Sequence, residues 1–221
     1  MNVQSTPSSA ACFELLGRND FDGLRRLLAS DASCAEARDA NGVSMLMQVL
    51  YRGRRDLAES IADQKNALDI FEAAALGRLD RVRELAQNRA VVRSQSPDGF
   101  TALHFTCFFR QPEAARILIE ASAPVDAVAN NAMKVMPLHS AASARNFEAA
   151  RLLLGHGAPP NARQQGGWTP IHAAAQNGDR PMVELLLQHG ADPTLANDDG
   201  KTPAAVAREK GHQEIASLLE R

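Results

Sequence analysis

Rings are scarce in this chain: Phe, Trp and Tyr make up 5% of 221 residues, with a single Trp and a single Tyr. A core so poor in aromatics has to be assembled from Ala, Leu, Ile and Val. At 45% hydrophobic and 23% charged residues there is enough of that material for a packed domain, which excludes a chain disordered throughout. Cysteine is scarce as well. Cys12, Cys34 and Cys107 are an odd number with no C-x-x-C pair and no zinc-type spacing to histidine, so no disulfide framework is expected and a reducing compartment fits better. Lysine is nearly missing: of 24 basic residues only four are Lys, an Arg bias that points to a GC-rich genome and so to a bacterium. No excess of either charge sign exists. The formal net charge is −2, and each half of the chain is close to balanced, which excludes a broad basic face for nucleic acid or anionic lipid. No apolar run approaches the roughly 18 residues of a membrane span, and no basic leader precedes an apolar stretch, so a cytoplasmic protein without membrane attachment is expected.

What the chain does contain is repetition. The segment beginning TPIHAAAQNGDRPMVELLLQHGADP at Thr169 is echoed from Thr202 (TPAAVAREKGHQEIASLLER), from Met136 (MPLHSAASARNFEAARLLLGHGAPP) and from Thr101 (TALHFTCFFRQPEAARILIEASAP). A looser copy opens at Leu68, and weaker ones at Ser44 and Ala10. Seven units are therefore expected, with starts near 10, 44, 68, 101, 136, 169 and 202, preceded by a tail over residues 1–9. Within a unit, Thr169 or Thr202 supplies a helix N-cap, and Pro170 or Pro203 occupies the first turn, where a missing amide hydrogen costs nothing. Gly53, Gly77, Gly178 and Gly211 fall where that first helix must end in a left-handed residue. A second helix follows with its apolar stripe at Val183, Leu186 and Leu187, or at Ala150, Leu153 and Leu154, and Gly157 or Gly190 closes it. The Asn-, Asp- and Gly-rich stretches that come next suit exposed hairpin fingers.

The T-P-L-H-like starts at Thr101–His104, Pro137–His139, Thr169–His172 and Thr202–Pro203 resemble the ankyrin repeat family. So do the Ala pairs, the leucine runs and the His-Gly-Ala turns at 156–158 and 189–191. The resemblance implies an all-α solenoid of helix-turn-helix pairs with projecting β-hairpin fingers, and a role in binding other proteins through the inner groove. The sequence departs from the pattern in places. Only 24 residues separate the starts at Ser44 and Leu68, so the finger around Asp63–Ala67 is almost absent. The finger at Ala127–Val135 is two residues longer, Met136 replaces the capping Thr, and Arg110 and Arg145 stand in place of cap glycines. Arg208, Glu209, Lys210, Gln213 and Glu214 give the last unit a polar face suited to a terminal cap.

Catalytic chemistry finds little footing. His104, His139 and His172 repeat at equivalent positions, but neighbouring packed helices lie roughly 8–10 Å apart, too far for one ion to be held at about 2 Å by adjacent copies. A structural role, hydrogen bonding between units, is what the ankyrin resemblance implies instead, and no metal or cofactor is expected. Cys107 replaces an Ala of the packing run and reads as an inert buried thiol. Cys12 reads as part of an apolar helix face and Cys34 as an exposed loop residue. No phosphate-cradling glycine motif appears, and Asp98, Asp198 and Asp199 lack calcium-loop spacing. No base, nucleophile and oxyanion donor occur together, so the chain is read as a non-enzyme.

The rings divide evenly. Phe13, Phe21, Phe71, Phe105 and Phe147 fall at repeat positions that pack into the core. Tyr51, Phe100, Phe108, Phe109 and Trp168 fall at the ends of first helices or the bases of fingers, on the side the family turns toward its groove. With Arg52, Leu76, Met133, Val135, Gln176, Asn177 and Lys201 they form the expected partner-binding set, Arg110 and Arg145 standing at its rim. The other reading of Phe108 and Phe109 is that they pack on the neighbouring unit because Arg110 alters the turn. The expected function is a monomeric scaffold, adaptor or inhibitor that binds a protein partner, not nucleic acid or membrane. A bacterial effector delivered to a host cell, or an enzyme with a site in the irregular N-terminal units, are the alternatives.

Overall fold

Seven consecutive helix pairs and one extra helix account for the fifteen α-helices of the computed structural model, which describes residues 7–220; no strand occurs among them. The expected tail over 1–9 lies outside the described residues as far as residue 6, and α1 already begins at Pro7. The chain divides into two compact units, the first ending at Glu72 and the second starting at Ala73.

The first unit holds α1 (Pro7–Gly17), α2 (Phe21–Ser30), a 3-10 turn at Ala32–Glu36, α3 (Met45–Tyr51) and α4 (Arg55–Ala62), and the division falls within α5 (Ile70–Leu76). Lacking Thr-Pro starts, its helices use other oxygens as caps: Asp20 Oδ1 accepts from Gly23 N at 2.8 Å, and Ser44 Oγ from Met47 N at 3.3 Å. Two expectations fail here. A disulfide joins Cys12 to Cys34, linking α1 to the 3-10 turn across a Cα–Cα distance of 6.5 Å. Cys34 is also fully buried rather than exposed, because the 3-10 turn folds its side chain under α1 and α2. The cysteine count therefore carries no argument for a reducing compartment.

The expected loss of a finger at 63–67 holds, and an ionic clasp occupies its place. Lys65, whose side chain is 2% exposed, donates to Glu36 Oε2 at 2.8 Å and to Ala35 O at 3.3 Å, and its Nζ lies 3.5 Å from Glu72 Oε1. Glu36 Oε1 accepts from Asn66 N at 3.0 Å. The short connection is thus tied back onto the 3-10 turn by charge instead of extending outward.

In the second unit α6 (Leu79–Ala86) is followed by α7 (Arg89–Arg93), a single turn the repeat pattern does not anticipate, capped by Asn88 and anchored by buried Val92. Then come α8 (Ala102–Phe108) with α9 (Pro112–Glu120), α10 (Pro137–Ser143) with α11 (Phe147–Gly155), α12 (Pro170–Asn177) with α13 (Arg180–Gln188), and α14 (Pro203–Glu209) with α15 (Gln213–Leu219). First helices pack in one row, α8 on α10 on α12 on α14, and second helices α6, α9, α11 and α13 pack in another. Alanines make the first row possible: Ala141, Ala142, Ala174, Ala175 and Ala207 are fully buried, and larger side chains would hold the helices apart. The leucines Leu118, Leu153 and Leu186 fill the same site in successive second helices.

Each motif histidine fastens its helix to the following finger. His172 Nδ1 accepts from Thr169 N at 3.2 Å, so its proton is on Nε2, which donates to Lys201 O at 3.1 Å. His104 bonds Thr101 N and Val135 O in the same way, and His139 bonds Met136 N and Ala162 O. The fingers are turns closed by single backbone pairs, such as Gln164 N to Trp168 O at 2.9 Å and Asn197 N to Lys201 O at 2.9 Å. Their tips are joined one to the next: Asn130 N donates to Gly99 O, Gln165 N to Met133 O and Asp198 N to Gly166 O, at 2.8–2.9 Å.

Of the five rings expected in the core, only Phe105 is fully buried. Phe13 and Phe71 are half-buried, and Phe21 is half-buried beneath Arg54, whose guanidinium stands 4.3 Å over the ring. Phe147 is 37% exposed, because the first position of α11 lies at the open end of the layer. At the last unit the polar set Arg208, Glu209, Lys210, Gln213 and Glu214 is exposed throughout, as expected of a cap.

Candidate binding surface

Four phenylalanines form a continuous row on α8 and the residues flanking it. Phe100 meets Phe105 edge-on at 5.6 Å, Phe105 stacks on Phe109 at 6.3 Å, and Phe108 stands perpendicular to Phe109 at 5.2 Å. The row is buried in its middle and open at one end: Phe105 is in the core, Phe100 is half-buried, and Phe108 is 49% exposed. The ring contacts of this pair lie within its own unit, Phe109 against Phe105 and Phe108, while Phe108 faces out. Ring-on-ring contact fixes the exposed ring in place, so a partner that covers it loses little side-chain freedom.

A left-handed turn accounts for that presentation. Arg110 follows directly at φ 59°, a conformation that disfavours a residue with a Cβ, and Arg145 repeats it at φ 54°. Arg145 donates to the carbonyl of Asn177, and Asn177 Nδ2 donates back to Ala142 O and Ser143 O at 3.2 and 3.1 Å. The ends of α10 and α12 are thereby clamped together. Buried Asn146 makes a similar link, capping α11 through Ala149 N and donating to Cys107 O at 3.0 Å.

Beside that clamp lies a hollow of about 370 Å³, walled by Ser143, Gln164, Gln165, Trp168, Gln176 and Asn177. Trp168 is half-buried, its ring centroid 5.4 Å from that of His172, and is not interred between units. The hollow gathers three of the expected residues, Trp168, Gln176 and Asn177. It adds Gln164, Gln165 and Ser143, which repeat spacing does not single out, because finger and helix-end side chains follow no periodic rule. Met133, 47% exposed, reaches the rim through its carbonyl bond to Gln165 N.

Other expected members do not join. Leu76 is buried at the end of α5, its side chain taken up by the interior, and Val135 is buried where its carbonyl receives His104. Phe100 is half-buried against His104 and Phe105. Lys201 is engaged internally, with Nζ at 2.8 Å from Glu209. Tyr51 and Arg52 are exposed at the end of α3 in the first unit, where Arg52 donates to Gln48 O and Oε1.

The reactive groups are held in unreactive forms. Burial pushes the Cys107 thiol up to about 12, and burial pulls His104 and His139 down to about 4, with His172 also lowered. Both nitrogens of each histidine are already engaged. Among the described residues no group of three or more His, Cys, Asp or Glu is arranged to hold a metal ion, and no helix is long and apolar enough to cross a membrane.

Stacked helix pairs with linked fingers and an open row of first-helix ends define a repeat scaffold of the kind that presents side chains along one side. A family model described as ankyrin repeats in three copies matches residues 70–164 and 138–220, and the chain belongs to the ankyrin repeat family. It is similar to the palmitoyltransferase Hip14 of Drosophila melanogaster, 32% identical over 102 residues, covering 46% of this chain and 16% of that protein. It is also similar to the E3 ubiquitin-protein ligase KEG of Arabidopsis thaliana, 34% identical over 159 residues, covering 62% of this chain and 10% of that protein. The chain thus spans a sixth or less of the length of these relatives.

Proposed function

We propose that the protein is a non-catalytic interaction module that acts as a monomer and holds a protein partner along the open ends of α8, α10 and α12 and the fingers beside them. Ankyrin repeats generally mediate contacts between proteins. The observation that carries the reading is Phe108, an exposed ring set perpendicular to half-buried Phe109, which itself stacks on buried Phe105, with exposed Met133 in the finger that receives His104 of the same helix. Rigid apolar side chains of this kind anchor interfaces, at about 2 kcal/mol or more each. The non-catalytic part is supported by the engaged nitrogens of the three histidines and by the buried, protonated Cys107. The activities in the names of the two relatives belong to proteins of which this chain matches only a small share.

The test is affinity capture from native lysate with the wild-type chain and with F108S/M133S, both positions being exposed and so tolerant of the change. Loss of a specific set of captured proteins in the variant supports the reading. An identical set, with the variant folded as judged by circular dichroism, overturns it.

A further inference from the structure

The hollow at Trp168 has a chemistry of its own. The side-chain amides of Gln164, Gln165 and Gln176 make no hydrogen bond to any described residue, whereas that of Asn177 is committed to Ala142 O and Ser143 O. No ionisable side chain lines it. The guanidinium groups nearest in the chain are occupied, Arg163 by Asp198 Oδ1 at 3.2 Å and Ala196 O at 3.0 Å, Arg145 by Asn177 O. The floor is an aromatic ring on a rigid base: Gly166 and Gly167 turn the finger at φ 74° and 72°, Trp168 O closes it, and the ring leans on His172.

From this we infer that the hollow is a subsite for an uncharged, extended stretch of polypeptide, with one apolar side chain laid on Trp168 and the flanking peptide groups read by Gln164, Gln165 and Gln176. The inference rests on the protein-partner reading and specifies what that partner offers here. A carboxamide carries the same donor and acceptor as a peptide unit, so three unpartnered carboxamides around a ring match a backbone in either direction. An ion has no counter-charge in the hollow and loses its water without compensation. At about 370 Å³ the space is at the small end of the roughly 300–1,000 Å³ typical of binding pockets, suited to a short segment rather than a folded surface.

Trp168 is the only tryptophan, so its fluorescence reports this hollow within the whole chain. The probes are four pools of end-capped synthetic octapeptides whose central residue is fixed as apolar, amide-bearing, acidic or basic, with maltohexaose as a sugar control. The apolar pool should shift Trp168 emission to the blue and saturate, and the acidic and basic pools should bind at least tenfold more weakly. Q164A/Q176A, both outside the core, should weaken the apolar pool about tenfold, the loss of two net hydrogen bonds, with an unchanged melting temperature. Equal binding of a charged pool, wild-type binding by Q164A/Q176A, no response to any peptide, or saturation by maltohexaose alone overturns the subsite. If no pool moves Trp168 emission while F108S/M133S loses its captured proteins, the subsite fails and the wider surface stands. The reverse pattern removes the wider surface and leaves the subsite.

Discussion

His172 reaches from α12 to the carbonyl of Lys201, 29 residues further on, with its Nε2 at 3.1 Å, while its Nδ1 accepts from the Thr169 amide, a bond that only the neutral ring can make. A second proton would have to enter at Nδ1, which faces the Thr169 amide. The sign of the pH effect follows. Burial lowers His104 and His139 from 6.5 to about 4 and lowers His172 as well, so between pH 6.5 and 4 the unfolded chain binds more protons than the folded one. Stability is full above pH 6.5 and falls as the pH drops through this window, by roughly 3 kcal/mol for each of the two most shifted rings. Urea unfolding at intervals from pH 8 to 4.5 should show a midpoint that is flat and then declines. A flat profile throughout would mean that the rings titrate normally.

Arg110 and Gly178 end equivalent helices in the same left-handed conformation, at φ 59° and 65°. Arg110→Gly should therefore stabilise the chain by about 1 kcal/mol, since the glycine relieves a Cβ clash at a modest entropic cost. Gly178→Ala should destabilise by more than that, because the new Cβ would also lie 2.6 Å from the His212 ring. Thermal melting of the two variants should move in opposite directions.

Lys65 holds Glu72 in a site where the carboxylate is 1% exposed and Oε1 has no hydrogen-bond donor. Lys65→Met should cost about 3 kcal/mol by leaving that charge uncompensated, and K65M/E72L should recover most of it. Denaturant titration of the single and double variants gives the coupling directly. Additive losses would show that the two groups are independent.

The Cys12–Cys34 disulfide closes a loop of 22 residues, and its reduction should lower stability by about 3 kcal/mol, an effect read as a shift in denaturant midpoint with and without reductant. Thiol titration in denaturant should find one free group before reduction, Cys107, and three after it.

The helix pairs are readable in the amino-acid sequence because stacking repeats the same demands: an alanine where first helices touch, a leucine where second helices meet, a glycine or a strained arginine at each turn. Pro170 and Gly178 do in the structure what their spacing predicts, Thr202 caps its helix through the Ala205 amide, and His172 takes the linking role that the family resemblance implies. The site is readable only in outline. Trp168, Gln176 and Asn177 stand out as ring or polar residues at helix ends and gather in one hollow, but Gln164 and Gln165 join them through the course of a finger that no period governs. Leu76 and Val135 look like surface extensions in a string of letters, yet each side chain turns inward where its unit needs volume. Cys12 and Cys34 pair because α2 and a 3-10 turn bring distant segments together, and neither spacing nor count announces that.

The linked fingertips carry a last consequence. With the amides of Asn130, Gln165 and Asp198 each satisfied by the preceding tip, a guest arriving along that edge cannot pair with these three amides and meets the side chains beside them instead. Exchanging the outward residues of a tip, such as Met133, Gln165 or Asp199, then re-addresses the molecule while the scaffold beneath stands unaltered, so new targets are within reach of a few surface substitutions.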